Sequence, residues 1–354
     1  MRVLHLIRYE KFTCDYINRI NNLFNPKDHL FIVFGNKIYP NIRNVVAENT
    51  VYTSDFKSKG LCSFYIVKEI IKSEKVILHA LFFSKKYLNL LLILQPFSKS
   101  KYFWNIWGYD LYNMYWEREE DVKKEKLRRK FIKNLRAVGY IPGDYVFLKE
   151  HYQTEAKFYL ASYSYDFFVP EIPQNENDKY TINILLGNSA TEECQYDEAI
   201  DLLSKYKDHP IKIKCILAYP QENIEYINQV VSHGKAVFGD KFEALTEYMS
   251  YEDYTQMLSG IDIAIFNHNR QQALGNIASL LYLGKRVYIN SKNACKGYFE
   301  DLGAVVYDLN DLSEKDICKN SGNDLMKKNR EAIDVFFSDK NFKSRWETIF
   351  EDKF

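Results

Sequence analysis

FNHNRQQALGNIASLLYLGKRVYI, residues 266–289, is the stretch from which the fold can be read. It opens on the end of an apolar run, IDIAIF (261–266), and closes on another, RVYI (286–289). Between them Ala273, Ile277, Leu280, Leu281 and Gly284 recur at helical spacing, which predicts a helix over 270–283. Strand, turn, helix, strand is the repeating unit of a parallel sheet, because parallel strands require a crossover. The turn carries His268, Asn269, Arg270, Gln271 and Gln272 just where that helix should begin. A helix N-terminus presents free N–H groups and partial positive charge, so an anion suits the place and Arg270 would add a full charge.

Similar runs extend the pattern in both directions. VLHLI (3–7), LFIVF (30–34), KVILHA (75–80), YFWNIW (102–107) and YVFL (145–148) read as strands of a first half. TINILLG (181–187), KIKCILA (212–218), IDIAIF, RVYI and AVVYD (304–308) read as strands of a second. Helical patterns fall between them at 192–206, 221–233, 270–283 and 324–337. FFVPEIPQNENDKY (167–180), with two Pro and a polar run, reads as the join. The expected organisation is a Rossmann-like domain over 1–166, a linker over 167–179 and a second domain over 180–354, whose last helix is free to return to the first. Ligands in such sheets bind at the carboxyl ends of strands, so the space between two facing domains is the expected site.

The 354 residues are 46% hydrophobic, enough for substantial cores, and the formal net charge of +1 gives no global argument for nucleic acid. Six Cys lie at 14, 62, 194, 215, 295 and 318 without Cys-x-x-Cys or zinc spacing, which reads as idle thiols in a reducing compartment. No stretch of about 18 apolar residues is present. There is no Gly-x-Gly-x-x-Gly, P-loop or Gly-x-Ser-x-Gly. No Asp-x-Asp pair stands ready to hold a divalent metal on a sugar diphosphate, so neither metal nor cofactor is expected. A departing diphosphate would then need protein charge and helix N-termini.

Two junctions in the second half could supply them. In ILLGNSATEE (184–193), Ser189 or Thr191 is either an N-cap or, with Asn188, a phosphate donor beside a permissive Gly187. The Arg270 turn is the other. In the first half, WNIWGYDLY (104–112) places Asp110 at a strand end, and VILHALF (76–82) ends another strand on His79. Either is a core residue or a catalytic one.

Several of these pieces resemble glycosyltransferase family 56, the TDP-N-acetylfucosamine:lipid II N-acetylfucosaminyltransferases, also labelled 4-alpha-L-fucosyltransferases. They are LHALF (78–82), FWNIWGYDLY (103–112), LLGNSA (185–190), AYP (218–220) with YINQV (226–230), and FNHNRQQALGNIASLLYLGKRVYIN (266–290). They occur in family order over residues 75–300. The resemblance implies an α/β GT-B fold, two Rossmann-like domains facing across a cleft. It implies a TDP-sugar donor carrying a 4-acetamido-4,6-dideoxyhexose and a polyprenyl-diphosphate-linked saccharide acceptor. The product would belong to enterobacterial common antigen or to a related capsule or O-antigen. The donor set is then Gly187, Asn188, Ser189, Tyr219, Arg270, Gln271, Gln272, Gly275 and Asn276, and Asp110 or His79 is the general base. Rival readings are a UDP- or GDP-sugar transferase and a non-catalytic saccharide- or nucleotide-binding module.

A lipid-linked acceptor implies peripheral attachment at the cytoplasmic face of the inner membrane. KKYLNLLLILQPFSKSKYF (85–103) and EREEDVKKEKLRRKFIKNLR (117–136) offer apolar surface and lysine for an anionic leaflet.

Overall fold

A computed structural model of the chain describes residues 1–10, 12–35, 47–112, 119–161, 181–219, 223–318 and 323–354. The expected linker, Pro220 of the AYP stretch and residues 117–118 lie outside them.

The chain divides into two compact units, Met1–Asp166 with Phe337–Phe354, and Phe167–Phe336. The first runs β1 (Val3–Arg8), α1 (Thr13–Leu23), β2 (His29–Phe34), β3 (Thr50–Tyr52), α2 (Lys59–Lys72), β4 (Lys75–His79), α3 (Lys85–Ser98), β5 (Tyr102–Asn105), α4 (Glu119–Lys133), β6 (Ala137–Tyr140), α5 (Pro142–Tyr152) and β7 (Lys157–Leu160). The second runs β8 (Ile182–Leu186), α6 (Tyr196–Ser204), β9 (Ile211–Ile216), α7 (Ile224–Phe238), β10 (Phe242–Leu245), α8 (Tyr251–Ser259), β11 (Ile263–Phe266), α9 (Leu274–Tyr282), β12 (Arg286–Ile289), α10 (Ala294–Asp301), β13 (Tyr307–Asp308), α11 (Glu314–Ile317) and α12 (Asn323–Phe337). A final helix, α13 (Asp339–Glu351), belongs to the first unit.

Among the described residues the first sheet has seven strands in the order β3-β2-β1-β4-β5-β6-β7, and the second has six in the order β10-β9-β8-β11-β12-β13. Every pairing is parallel. Helices cover such sheets on both faces, which is why the central strands read as unbroken apolar runs. Strand order reverses between β1 and β4 in one sheet and between β8 and β11 in the other. Those two places are where doubly wound sheets open a crevice at the carboxyl ends of their strands.

Three sequence readings need correction. YVFL (145–148) is helical, inside α5, because Pro142 occupies the first helical turn where its fixed φ and missing N–H cost nothing. AVVYD contributes only Tyr307–Asp308 to a strand. The helix after β11 starts at Leu274 rather than 270, because Ala273 adopts a left-handed conformation, φ 62°, and breaks the run. Arg270, Gln271 and Gln272 therefore lie on a loop.

α13 closes the first core. Trp346, fully buried, sets its ring 5.4 Å from Tyr16, 6.1 Å from His79 and 6.1 Å from Phe103.

Candidate active site

In the second unit the β8/β11 reversal gathers most of the expected donor residues. β8 is followed by Gly187, φ 66°, and a Cβ there would collide with the Tyr196 hydroxyl. The glycine thus makes room for Tyr196, whose hydroxyl lies 2.8 Å from Ser189 O and 2.6 Å from Ile216 O. That ring pins the 187–190 loop to β9. Ala190 N donates to Tyr219 O at 2.8 Å, which ties in the next strand end; the Tyr219 side chain is exposed.

Across the reversal, Gln272 Nε2 donates to Asn188 Oδ1 at 3.0 Å and to Ser189 Oγ, and lies 3.6 Å from Cys194 Sγ. Arg270 is buried, its Nε donating to Glu193 Oε1 at 3.2 Å and its Nη1 to Gln271 O at 2.9 Å. Glu193 O accepts from Asn269 N at 3.3 Å. The β12 end clamps the loop from its other side. Asn290 Nδ2 donates to Asn267 Oδ1 at 2.8 Å, and Cys295 Sγ lies 3.5 Å from Gln272 O. No side chain caps the start of α9, whose first residues are Leu274, Gly275 and Asn276. A helix start without a side-chain cap, preceded by a left-handed alanine, holds strained backbone of the kind that collects at ligand sites.

Three members of this group stand outside the expected donor set: Glu193, Cys194 and His268. Burial raises the Cys194 thiol, but the His268 ring beside it, with contacts to the Ser189 and Thr191 hydroxyls, brings it down to about 6. His268 is itself fully buried and stands 5.5 Å from Phe266. The signal for Glu193 was an acid at a strand-to-helix junction, but its partner is 77 residues away.

In the first unit, His79 ends β4 and borders a pocket of about 180 Å³ lined also by Arg8, Phe34, Ala80, Phe82, Phe83, Ser84 and Tyr87. The pocket sits at the β1/β4 reversal, beside Ala80 with its φ of 63°. His79 Nε2 is 3.2 Å from His5 Nδ1, and His5 Nε2 is 3.1 Å from His29 Nδ1. Burial holds all three rings neutral: His79 falls to about 3, His29 to about 4, and His5 well below its usual value. Asn105, the register partner of His79, is fully buried, and among the described residues neither of its side-chain polar atoms has a hydrogen-bond partner.

Asp110 has a different surrounding. It is fully buried, and its Oδ2 accepts from Leu81 N at 2.9 Å and Trp104 Nε1 at 2.8 Å. Oδ1 accepts from Trp107 N at 2.9 Å. Burial raises its pKa, while Arg128 and these N–H groups oppose the rise. The carboxylate brackets the loops after β4 and β5. Asp110→Asn should lower unfolding free energy by about 1.5–3 kcal/mol, because an amide NH₂ would face an N–H donor. Urea unfolding checks this, and an unchanged midpoint would show that the bracket carries no such load.

A family profile for 4-alpha-L-fucosyltransferase glycosyl transferase group 56 matches residues 39–353. The chain belongs to this family. It is a glycosyltransferase, which decides between a transferase and a non-catalytic module. Solved structures agree in fold. A glycosyltransferase from Rickettsia africae ESF-5 aligns with TM-score 0.68 at 14% identity, covering 99% of this chain and 97% of that one. Anabaena HepE, solved with UDP and glucose, aligns with TM-score 0.65 at 10% identity over 99% and 100%. WaaG, a glycosyltransferase involved in lipopolysaccharide biosynthesis, gives TM-score 0.60 at 11% identity over 99% of each chain. The family 56 chain is therefore an α/β protein of the GT-B class. Among its described residues no helix is long and apolar enough to cross a membrane.

Proposed function

We propose that the enzyme transfers a 4-acetamido-4,6-dideoxyhexose from a TDP-sugar to a polyprenyl-diphosphate-linked saccharide in bacterial surface polysaccharide synthesis. On this reading it works without a metal, peripherally, at the cytoplasmic face of the inner membrane. The observation that carries it is the β11–α9 loop, where Arg270, held by Glu193, adjoins an uncapped helix start and the Gln272–Asn188–Ser189 cluster. That arrangement offers preorganised donors to a diphosphate as it gains charge. Gly275 and Asn276 add backbone N–H groups of the first turn of α9, and Gln271 flanks the loop. Tyr219 borders the base.

In the reaction an acceptor hydroxyl oxygen bonds to the anomeric carbon. The bond from that carbon to the β-phosphate oxygen breaks, and its electron pair leaves on the diphosphate. The hydroxyl proton needs a base. His79 fits better than Asp110, because it borders open space, whereas Asp110 is fully buried with both oxygens accepting hydrogen bonds. The anionic diphosphate of an acceptor beside the ring would raise its basicity from the low value burial imposes.

A thermal-shift panel of TDP, UDP, GDP and CMP, run in EDTA, tests the donor half. TDP should stabilise the protein most, by mass action: about 2.7 kcal/mol at a hundredfold excess over Kd. UDP is the second reading, favoured by the UDP held in HepE, a structure of the same fold. Stabilisation by none of the four, or by TDP only after a divalent metal is restored, would overturn the metal-free donor site.

A further inference from the structure

The surface of the first unit carries an apolar and basic face on α2 and α3. The two helices run side by side. Lys86 Nζ donates to Lys59 O at 3.3 Å near their starts, and Lys101 Nζ donates to Ile71 O at 3.1 Å near their ends. Between these ties, Cys62 Sγ of α2 lies 3.6 Å from the Tyr87 hydroxyl of α3.

Each helix buries one side and leaves large apolar side chains on the other. α2 packs Cys62, Ile66 and Ile70 inward, and α3 packs Leu88 and Leu91. Outward stand Leu61, Phe64 and Ile71 from α2, and Ile93 and Phe97 from α3. Phe97 is 89% exposed and Phe64 70%, and they are the only phenylalanines among the exposed large apolar residues described. A soluble surface seldom leaves such residues grouped on adjoining helices.

The exposed charges on the two helices themselves have one sign. Lys57, Lys59, Lys68, Lys72, Lys85 and Lys86 are exposed on or beside the two helices. The only acid on either helix, Glu69, is buried and bound by Arg2. Asp55 and Glu74 lie beyond the ends of α2, and Glu74 accepts from Arg2 N at 3.0 Å. By contrast, the basic stretch over 117–136 turns part of its charge inward. Arg128 is buried against Asp110 O, and both Arg128 and Arg129 pair with Glu125.

We propose that the α2–α3 face docks on an anionic lipid bilayer, with Phe64, Ile93 and Phe97 entering the interface and the lysines meeting the headgroups. Aromatic and aliphatic side chains on a lysine-rimmed face match the depth profile of such a leaflet. The first turn of α3 adjoins Ser84 and Tyr87, which line the pocket beside His79. A substrate anchored in the bilayer would thus meet the pocket at the margin of the docked face. The choice of occupant rests on the lipid-linked acceptor proposed above, but the face is defined without it.

The test uses the full chain with vesicles that contain no donor and no acceptor, so failure of the donor site cannot mimic failure of docking. Vesicles of phosphatidylethanolamine with phosphatidylglycerol are compared with vesicles of phosphatidylcholine in flotation assays. The protein should float with the anionic vesicles and be released as salt rises, since exposed charge is screened over about 8 Å at physiological ionic strength. Phe64→Asp and Phe97→Asp should each weaken the partition by roughly tenfold or more. Lys68→Glu with Lys72→Glu should abolish the preference for anionic lipid. Circular dichroism identifies any variant that fails to fold, and the second phenylalanine variant then carries the test. Equal partition onto both vesicle types, or unchanged flotation of folded phenylalanine variants, overturns the proposal. So does a concentration-dependent dimer lost in those variants without any vesicle binding, which would make the face a contact between copies.

Discussion

Arg270→Ala should cost turnover and stability together. Turnover at saturating donor should fall by about 10²–10³, the loss seen when one preorganised donor to a developing oxyanion is removed. Affinity for the nucleotide diphosphate should fall as a charge-assisted hydrogen bond is lost, about 1.5–3 kcal/mol. The same change strips Glu193 of its partner and leaves a carboxylate that is only 5% exposed. Breaking a buried pair from one side costs about 3–5 kcal/mol. The two effects separate in Arg270→Gln combined with Glu193→Gln, which leaves no uncompensated charge. That protein should regain most of its stability in urea and remain slow, with weak nucleotide binding. If it recovers stability and wild-type turnover alike, Arg270 serves only the packing of its loop and the donor assignment falls.

Stability should also drop steeply in mild acid. His5, His29 and His79 are held neutral, their pKa values lowered by burial, to about 4 for His29 and about 3 for His79. A group whose folded pKa lies below its unfolded value of about 6.5 contributes stability above that value and loses it as pH falls. Between about pH 6.5 and 4 the unfolded chain binds protons at these rings that the folded one refuses. Each such proton adds a slope of about 1.4 kcal/mol per pH unit. Asp110, with its raised pKa, works in the opposite direction by one group. The net expectation is a loss of several kcal/mol from pH 7 to pH 5, read from urea midpoints. His5→Phe should flatten the profile, since the ring at the middle of the chain is removed. Stability that does not change between pH 7 and 5 would mean that the rings find charge partners when protonated.

The parts of this fold that were legible in the sequence are strands rich in apolar residues. β1, β2, β4, β5, β8, β11 and β12 announce themselves as apolar runs, and β9 (IKIKCI) as an alternation that leaves Lys212 exposed. β6 (AVGY), β7 (KFYL) and β10 (FEAL) are four residues each and carry no period long enough to read. The two polar junctions, after β8 and after β11, were legible because polar residues crowd a strand end. What could not be read was which residue answers which. The Arg270–Glu193 pair and the Gln272–Asn188 bond join strand ends 77 and 84 residues apart. Nor does an alanine advertise a left-handed turn, and that one residue moved Arg270, Gln271 and Gln272 from helix to loop. Asp110 reads from the sequence as a core or a catalytic residue at a strand end; the three N–H donors that converge on it come from separate loops and were not legible.

The return of α13 to the first sheet has a bearing on how the protein is made. Lys157 and the Tyr159 hydroxyl, both on β7, reach Asp352 Oδ2 at 2.6 and 2.5 Å, and Trp346 fills the floor beneath His79. A ribosome delivers β1–β7 first and the piece that seals them last. The whole second unit lies between, and its chain segment can fold as it emerges, while the earlier sheet waits with an aromatic-lined hollow open to water. Synthesis order and folding order are thereby inverted for the first half of the molecule.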